Sequence, residues 1–143
     1  MKISYKEIET INEFIDAIRI RADVFVIEQG LKPGWKPDEE DKNSMHFIAI
    51  IDDKTVATAR MREIKNKEFK IERMSTIKEF RNKGIAKGLA NFMVQYANKL
   101  NAKKIWMQSQ VRVQKFYEKC GFKAMSQPYN LYGIEHIDME YEK

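Results

Sequence analysis

The densest chemistry in the chain lies in Ile71-Glu72-Arg73-Met74-Ser75-Thr76-Ile77-Lys78-Glu79-Phe80-Arg81-Asn82-Lys83-Gly84-Ile85-Ala86. An extended stretch runs into a short basic loop, and the loop opens a helical pattern. The first N–H groups of a helix lack internal partners, and with the helix dipole they form an anion site. Gly84 has no Cβ, so backbone can come close to a phosphate there. Arg81, Lys83 and Lys87 add positive charge around it. A pyrophosphate is the expected guest. The loop is neither a Walker A loop, since G-x-x-x-x-G-K-S/T is absent, nor G-x-G-x-x-G, since Ala86 stands at the second glycine. The plain alternative is a basic helix start on the surface.

Other reactive types are scarce. One cysteine, Cys120, excludes an internal disulfide, and with only two histidines no dedicated zinc site is expected. The 143 residues are 43% hydrophobic and 33% charged, enough for a core in a soluble domain. No apolar run has the length of a membrane span, and residues 1–7 carry no apolar signal core, so a cytoplasmic location is expected. The net charge of +5 is uneven. Residues 1–59 have 8 basic and 12 acidic side chains; residues 60–143 have 18 and 9. A basic half points to an anionic partner, either nucleic acid or a phosphorylated small molecule.

The elements that must position these groups alternate along the chain. Residues 2–8 read as a strand, and Thr10-Ile11-Asn12-Glu13 is a capping box that starts a helix. The β-branched run Val24–Ile27 leads into an irregular segment from Gly30 to Asn43. Three strands follow, at Met45–Ile51, Thr55–Lys65 and Glu68–Ile77, with turns at Asp52-Asp53-Lys54 and Asn66-Lys67. Leu89, Phe92, Met93, Tyr96, Ala97 and Leu100 mark a long helix after the basic loop. A strand at Lys104–Gln108, a short helix at Val111–Lys119 ended by Gly121, and strands at Phe122–Gln127 and Ile134–Tyr141 complete the chain. The order indicates a mixed α/β sheet covered by helices.

Two segments resemble one known family. Arg73-Met74-Ser75-Thr76 followed by Arg81-Asn82-Lys83-Gly84-Ile85-Ala86 resembles the R/Q-x-x-G-x-G/A signature of the GNAT superfamily of acetyl-CoA-dependent N-acetyltransferases. Gln110-Val111-Arg112-Val113-Gln114-Lys115-Phe116-Tyr117-Glu118-Lys119-Cys120-Gly121-Phe122 is similar to its later N-x-x-A-x-x-F-Y-x-x-x-G-F segment, with Gln110 at the usual Asn and Val113 at the usual Ala. Val24–Gln29 and Tyr132–Met139 look like its ElaA-like branch. The resemblance implies one α/β domain over residues 1–143, with a mixed, mostly antiparallel, splayed sheet flanked by helices.

It also implies acetyl transfer from acetyl-CoA to an amine by direct attack, without a metal. The pyrophosphate would lie on the amides of Arg81, Asn82, Lys83, Gly84, Ile85 and Ala86. The pantetheine arm would pair with Met74, Ser75 and Thr76, and Gln110, Phe116 and Tyr117 would line it. A backbone N–H near Met74 would hold the oxyanion. Tyr117 would protonate the leaving thiolate, because a phenol (pKa about 10) lies not far above a thiol (about 8.5). Glu28, Glu72 and His136 are the candidate bases, and a bulge near Glu72 would change which face it shares with Met74. Cys120 is expected to pack rather than react. The acidic run Asp38-Glu39-Glu40-Asp41 suits a cationic acceptor such as a polyamine, or is a solvated loop, and Trp35 lines the acceptor mouth or covers the core. The implied partners are acetyl-CoA and an amine, with no nucleic acid and no membrane; a homodimer is open. The alternatives are a catalytically silent acyl-CoA-binding domain of the same fold, or a basic nucleic-acid module.

Overall fold

The computed structural model describes residues 2–31 and 37–142. Ile3–Glu7 forms β1, and α1 spans Ile11–Arg21. The expected capping box is present: the Thr10 hydroxyl accepts from the Glu13 N–H, and the Glu13 carboxylate accepts from the Thr10 N–H, both at 3.1 Å. The β-branched run that follows does not extend. It continues the helix as a wide π segment, Ala22–Glu28, that buries Val24 and leaves Ile27 exposed. Such wide turns are rare and recur at functional sites.

A 3-10 turn, Glu39–Asn43, precedes the meander β2 (Met45–Ile51), β3 (Lys54–Lys65) and β4 (Glu68–Thr76). Asp52 and Asp53 both have positive φ, 49° and 63°. That is the backbone hand that suits a tight hairpin between twisted strands. Then come α2 (Ile85–Lys99), β5 (Lys104–Gln110), α3 (Gln114–Lys119), β6 (Phe122–Ala124), β7 (Tyr129–Leu131) and β8 (Ile134–Tyr141). One sheet runs β1-β2-β3-β4-β5-β8-β6, with β7 also on β8. Every pairing is antiparallel except β4 with β5, so the sheet is mixed and mostly antiparallel as expected.

Apolar residues of α2, among them Leu89, Met93 and Ala97, pack with Phe47, Met61, Ile71, Met107 and Met139 in one buried cluster. Burying such side chains contributes roughly 1.5–3 kcal/mol each. On the Arg60 side of the sheet, α1 packs over β3 and β4.

Two departures from regularity shape the centre. The β4–β5 pairing runs only from Glu68 opposite Lys104 to Ile71 opposite Met107. Beyond that point β4 continues to Thr76 on β3 alone, and β5 continues to Gln110 on β8 alone, so the two strands part. Within β4, Thr58 pairs with Ser75 but Arg60 pairs with Glu72, which leaves Arg73 and Met74 opposite the single residue Ala59. This is a β-bulge. Arg73 sits in it with φ 59°.

Candidate active site

A cleft of about 650 Å³ fills the gap between the parted strands. At one end the first hydrogen bond of α2 runs from the Gly88 N–H to the Gly84 carbonyl at 3.0 Å. The N–H groups of Ile85, Ala86 and Lys87 therefore lie ahead of the helical ladder. Gly84 lines the cleft with φ 80°, a conformation that L side chains rarely adopt, and a Cβ there would meet no protein atom within 4 Å. Asn82, Gly84, Ile85, Ala86 and Lys87 all line this end; Lys83 is exposed and does not. The Arg81 side chain turns back on the protein. Its Nε donates to the Thr76 carbonyl at 3.0 Å, and its Nη2 donates to Glu28 Oε1 at 2.7 Å. Backbone amides and Lys87, rather than the Arg81 guanidinium, are the groups left for an anion.

The middle of the cleft is the free edge of β4, with Met74, Ser75 and Thr76 in its wall. The bulge takes the Arg73 and Met74 amides out of the β3 register. The facing wall carries Gln110, Phe116 and Tyr117. The Gln110 side chain donates to Gln29 Oε1 at 3.1 Å and accepts from Arg112 Nε at 2.7 Å, so it ties the end of β5 to the π segment. Tyr117 is 8% exposed and meets Phe116 and Phe122 edge-on, with ring centres 5.0 Å and 6.1 Å away. Burial pushes its phenol well above the usual range, so it carries its proton at neutral pH. Cys120 lies in the buried cluster, and burial raises its thiol too, which suits packing rather than nucleophilic attack.

The three candidate bases have different surroundings. Glu28 is engaged by Arg81. Glu72 lies 2.7 Å from Arg62 Nε, 3.1 Å from Arg60 Nε and 3.3 Å from Lys70 Nζ. Burial alone would raise its carboxyl, but Arg62, Arg60 and Lys70 outweigh that and hold it at about 2. A carboxylate held so low is a poor proton acceptor near neutrality. The bulge also separates it from Met74, so simple alternation along β4 fails there. His136 lines the cleft and is 8% exposed. Its Nδ1 lies 2.8 Å from the Ile134 carbonyl. A carbonyl only accepts, so Nδ1 carries a hydrogen, and in the neutral ring the lone pair is on Nε2.

Three of the four acidic residues in the run are engaged by arginines, and Glu39 stays exposed beside Lys42. Asp38 Oδ1 accepts from Arg60 at 2.8 Å, Asp41 Oδ1 from Arg60 at 2.7 Å and from Arg21 at 3.0 Å, and Glu40 from Arg62 at 3.0 Å. Arg21, Arg60 and Asp41 are nearly fully buried, so this is an internal ion network. The run is therefore neither a purely solvated loop nor a free acidic patch, since Asp38, Glu40 and Asp41 hold arginines of the fold. Residue-by-residue reading missed Arg60, Arg62, Lys70 and Arg73 as one cluster; the alternation Arg60-Met61-Arg62 on a strand was the available signal. Trp35 lies outside the described residues. Among the described residues no helix is long and apolar enough to cross a membrane, and no group of His, Cys, Asp and Glu is placed to hold a metal.

Residues 3–143 match the family model described as an acetyltransferase (GNAT) domain. The chain is 29% identical over 125 residues to the Bacillus subtilis protein named uncharacterized N-acetyltransferase YjcF, covering 87% of this chain and 89% of that one. Escherichia coli ElaA superposes with a TM-score of 0.87 at 22% identity, over 99% of this chain and 100% of its own. A Bacillus subtilis acetyltransferase solved in complex with CoA superposes with a TM-score of 0.70 at 16% identity, over 99% of each chain. The two structural likenesses are likenesses of fold.

Proposed function

The chain belongs to the acetyltransferase (GNAT) family, and we propose that it moves an acetyl group from acetyl-CoA to a primary amine by direct attack in a ternary complex. In this reading a single domain of that kind spans the chain. The observation that carries it is the parting of β4 from β5 after Ile71, which leaves a free strand edge leading to the open amides of α2. A pantetheine arm has the length and amide spacing to add to such an edge as a peptide strand would. The open space at Gly84 and the charge of Lys87 fit a pyrophosphate at its end.

Acetyl-CoA, once bound, supplies an activated thioester carbonyl. The protein's own groups do the rest. The amides of Ile85, Ala86 and Lys87 hold the phosphates. Ser75 and Thr76 present backbone to the arm, and Gln110 and Phe116 wall it in. The Met74 N–H, freed from regular pairing by the bulge, donates to the developing oxyanion. His136 Nε2 takes the amine's proton, directly or through water. Tyr117 gives its proton to the leaving thiolate; the dry wall that raises the phenol also disfavours a bare thiolate beside it. Glu28 and Arg81 form a positioning pair that ties the π segment to the end of β4, and Glu72 anchors the arginine cluster.

Thermal unfolding with and without acetyl-CoA, followed by mass-spectrometric detection of acetylated amines, tests the reading. Stabilisation with transfer to an amine is expected. Stabilisation without transfer to any amine favours the silent acyl-CoA-binding alternative, and no stabilisation by any acyl-CoA contradicts both.

A further inference from the structure

Beside the cleft lies a recess of about 90 Å³, bounded by Phe25 and Leu31 on one side and by Leu131 and Tyr132 on the other. Arg73, Gln110 and His136 line both spaces, so the recess opens off the cleft where the chemistry is proposed. Among the described residues its charged lining is Lys70, Glu72 and Arg73. The one carboxylate, Glu72, is already engaged by Arg60, Arg62 and Lys70. Lys70 is occupied as well, by Glu72 at 3.3 Å and Gln108 Oε1 at 2.8 Å.

Arg73 is different. Its nearest carboxylate is Asp38, at 3.5 Å, and Asp38 is held more closely by Arg60 at 2.8 Å. Its Nε is buried without a hydrogen-bond partner among the described residues. Burial, reinforced by the neighbouring Arg60 charge, lowers its guanidinium from the ordinary value. The Nε is thus sealed from the recess, but the Arg73 side chain is 25% exposed and its link to Asp38 is long, so its outer nitrogens are the donors left for an anion. A guanidinium pairs best with a planar two-oxygen anion, which a carboxylate is.

We infer that this recess receives a carboxylate of the acceptor, so that the substrate is an amine of amino-acid type rather than a polyamine. The inference rests on the acetyl-transfer reading for the position of the amine. Arg73 and Met74 are adjacent in the bulge, with Cα atoms about 3.8 Å apart. Arg73 and His136 line both the recess and the cleft, and Met74 lines the cleft, so a carboxylate held in the recess sits beside the space where the amine is proposed to react. The volume suits the same guest. At about 90 Å³ the recess has room for a carboxylate group and is far smaller than the cleft of about 650 Å³ beside it.

The test uses matched pairs: leucine with 3-methylbutylamine, phenylalanine with phenethylamine, and lysine with 1,5-diaminopentane. Binding of each N-acetylated member to the protein saturated with CoA is measured by calorimetry, and transfer to each free amine is measured as kcat/KM. The carboxylated members are expected to win by about tenfold or more in both measurements. Arg73→Gln is expected to remove most of that ratio and Arg73→Lys to keep part of it; the wild-type pairs decide the matter if a variant fails to fold. Equal binding within pairs, binding of neither member, or transfer that does not favour the carboxylated member overturns the inference. Carboxylate preference in binding with no transfer at all upholds the recess and contradicts the transferase reading instead.

Discussion

At the residue scale, Tyr117 and His136 are the groups proposed to meet the substrates, and Glu72 and Arg81 hold other side chains in place. Tyr117→Phe keeps the ring packing and removes the proton. It is expected to lower kcat about 100-fold, within the range for general acids, while acetyl-CoA affinity measured by calorimetry stays close to wild type. His136→Gln is expected to lower kcat similarly, read in the same assay with saturating acetyl-CoA. Glu72→Gln acts differently. It leaves Arg60, Arg62 and Lys70 crowded around a neutral amide. Urea unfolding is expected to show a loss of about 3 kcal/mol. The place of Tyr117 in the cleft wall was readable from the motif that contains it. The distinction between Glu72 and His136 was not, because it depends on what surrounds each side chain. Glu72 is held ionised by Arg60 and Arg62 on the neighbouring strand and by Lys70, and the Nδ1 hydrogen of His136 faces a carbonyl two positions away.

At the element scale the site is made by what β4 fails to do. It stops pairing with β5 at Ile71, it bulges at Arg73 and Met74, and it delivers the chain to α2 through a left-handed Gly84. Gly84→Ala is expected to cost about 1–2 kcal/mol of stability from the backbone conformation alone. It is also expected to weaken acetyl-CoA severalfold by calorimetry, because the added methyl points into the space left for the phosphates. The order of strands and helices was readable from hydrophobic period and turn residues, as Asp52-Asp53 and the Thr10 capping box show. The parting of the strands was implied only by resemblance to a family. A bulge near Glu72 was anticipated, and the structure places Arg73 and Met74 in it, opposite Ala59 on the partner strand. The π segment was hidden: Val24–Ile27 has β-branched composition, yet an established helix carried through it.

At the scale of the whole molecule the uneven charge has two destinations. The basic excess is densest from Arg60 to Lys87, with 10 Lys and Arg against 4 Glu. Arg60, Arg62, Lys70 and Arg73 turn to the ion network that holds Asp38, Glu40, Asp41 and Glu72, whereas Lys87 faces the cleft. Much of the charge that suggested nucleic acid is therefore satisfied inside the fold. The network makes stability depend on acid. Asp41, like Glu72, is held at about 2 by its arginines against the opposing effect of burial, below the ordinary 3.8 and 4.5. A carboxyl lowered on folding stabilises fully above its unfolded value and loses that contribution as pH falls through the folded one. Urea unfolding is accordingly expected to lose on the order of 2–3 kcal/mol per carboxyl between about pH 5 and pH 2, at constant ionic strength. The central claim is that the free edge of β4 and the open amides of α2 form one binding surface for acetyl-CoA. An amide-resolved NMR titration with acetyl-CoA addresses it most directly. The account predicts large shifts confined to Met74–Thr76, Gly84–Lys87 and the Tyr117 region. Saturable binding whose shifts fall elsewhere, or no shifts at millimolar acetyl-CoA, would contradict it.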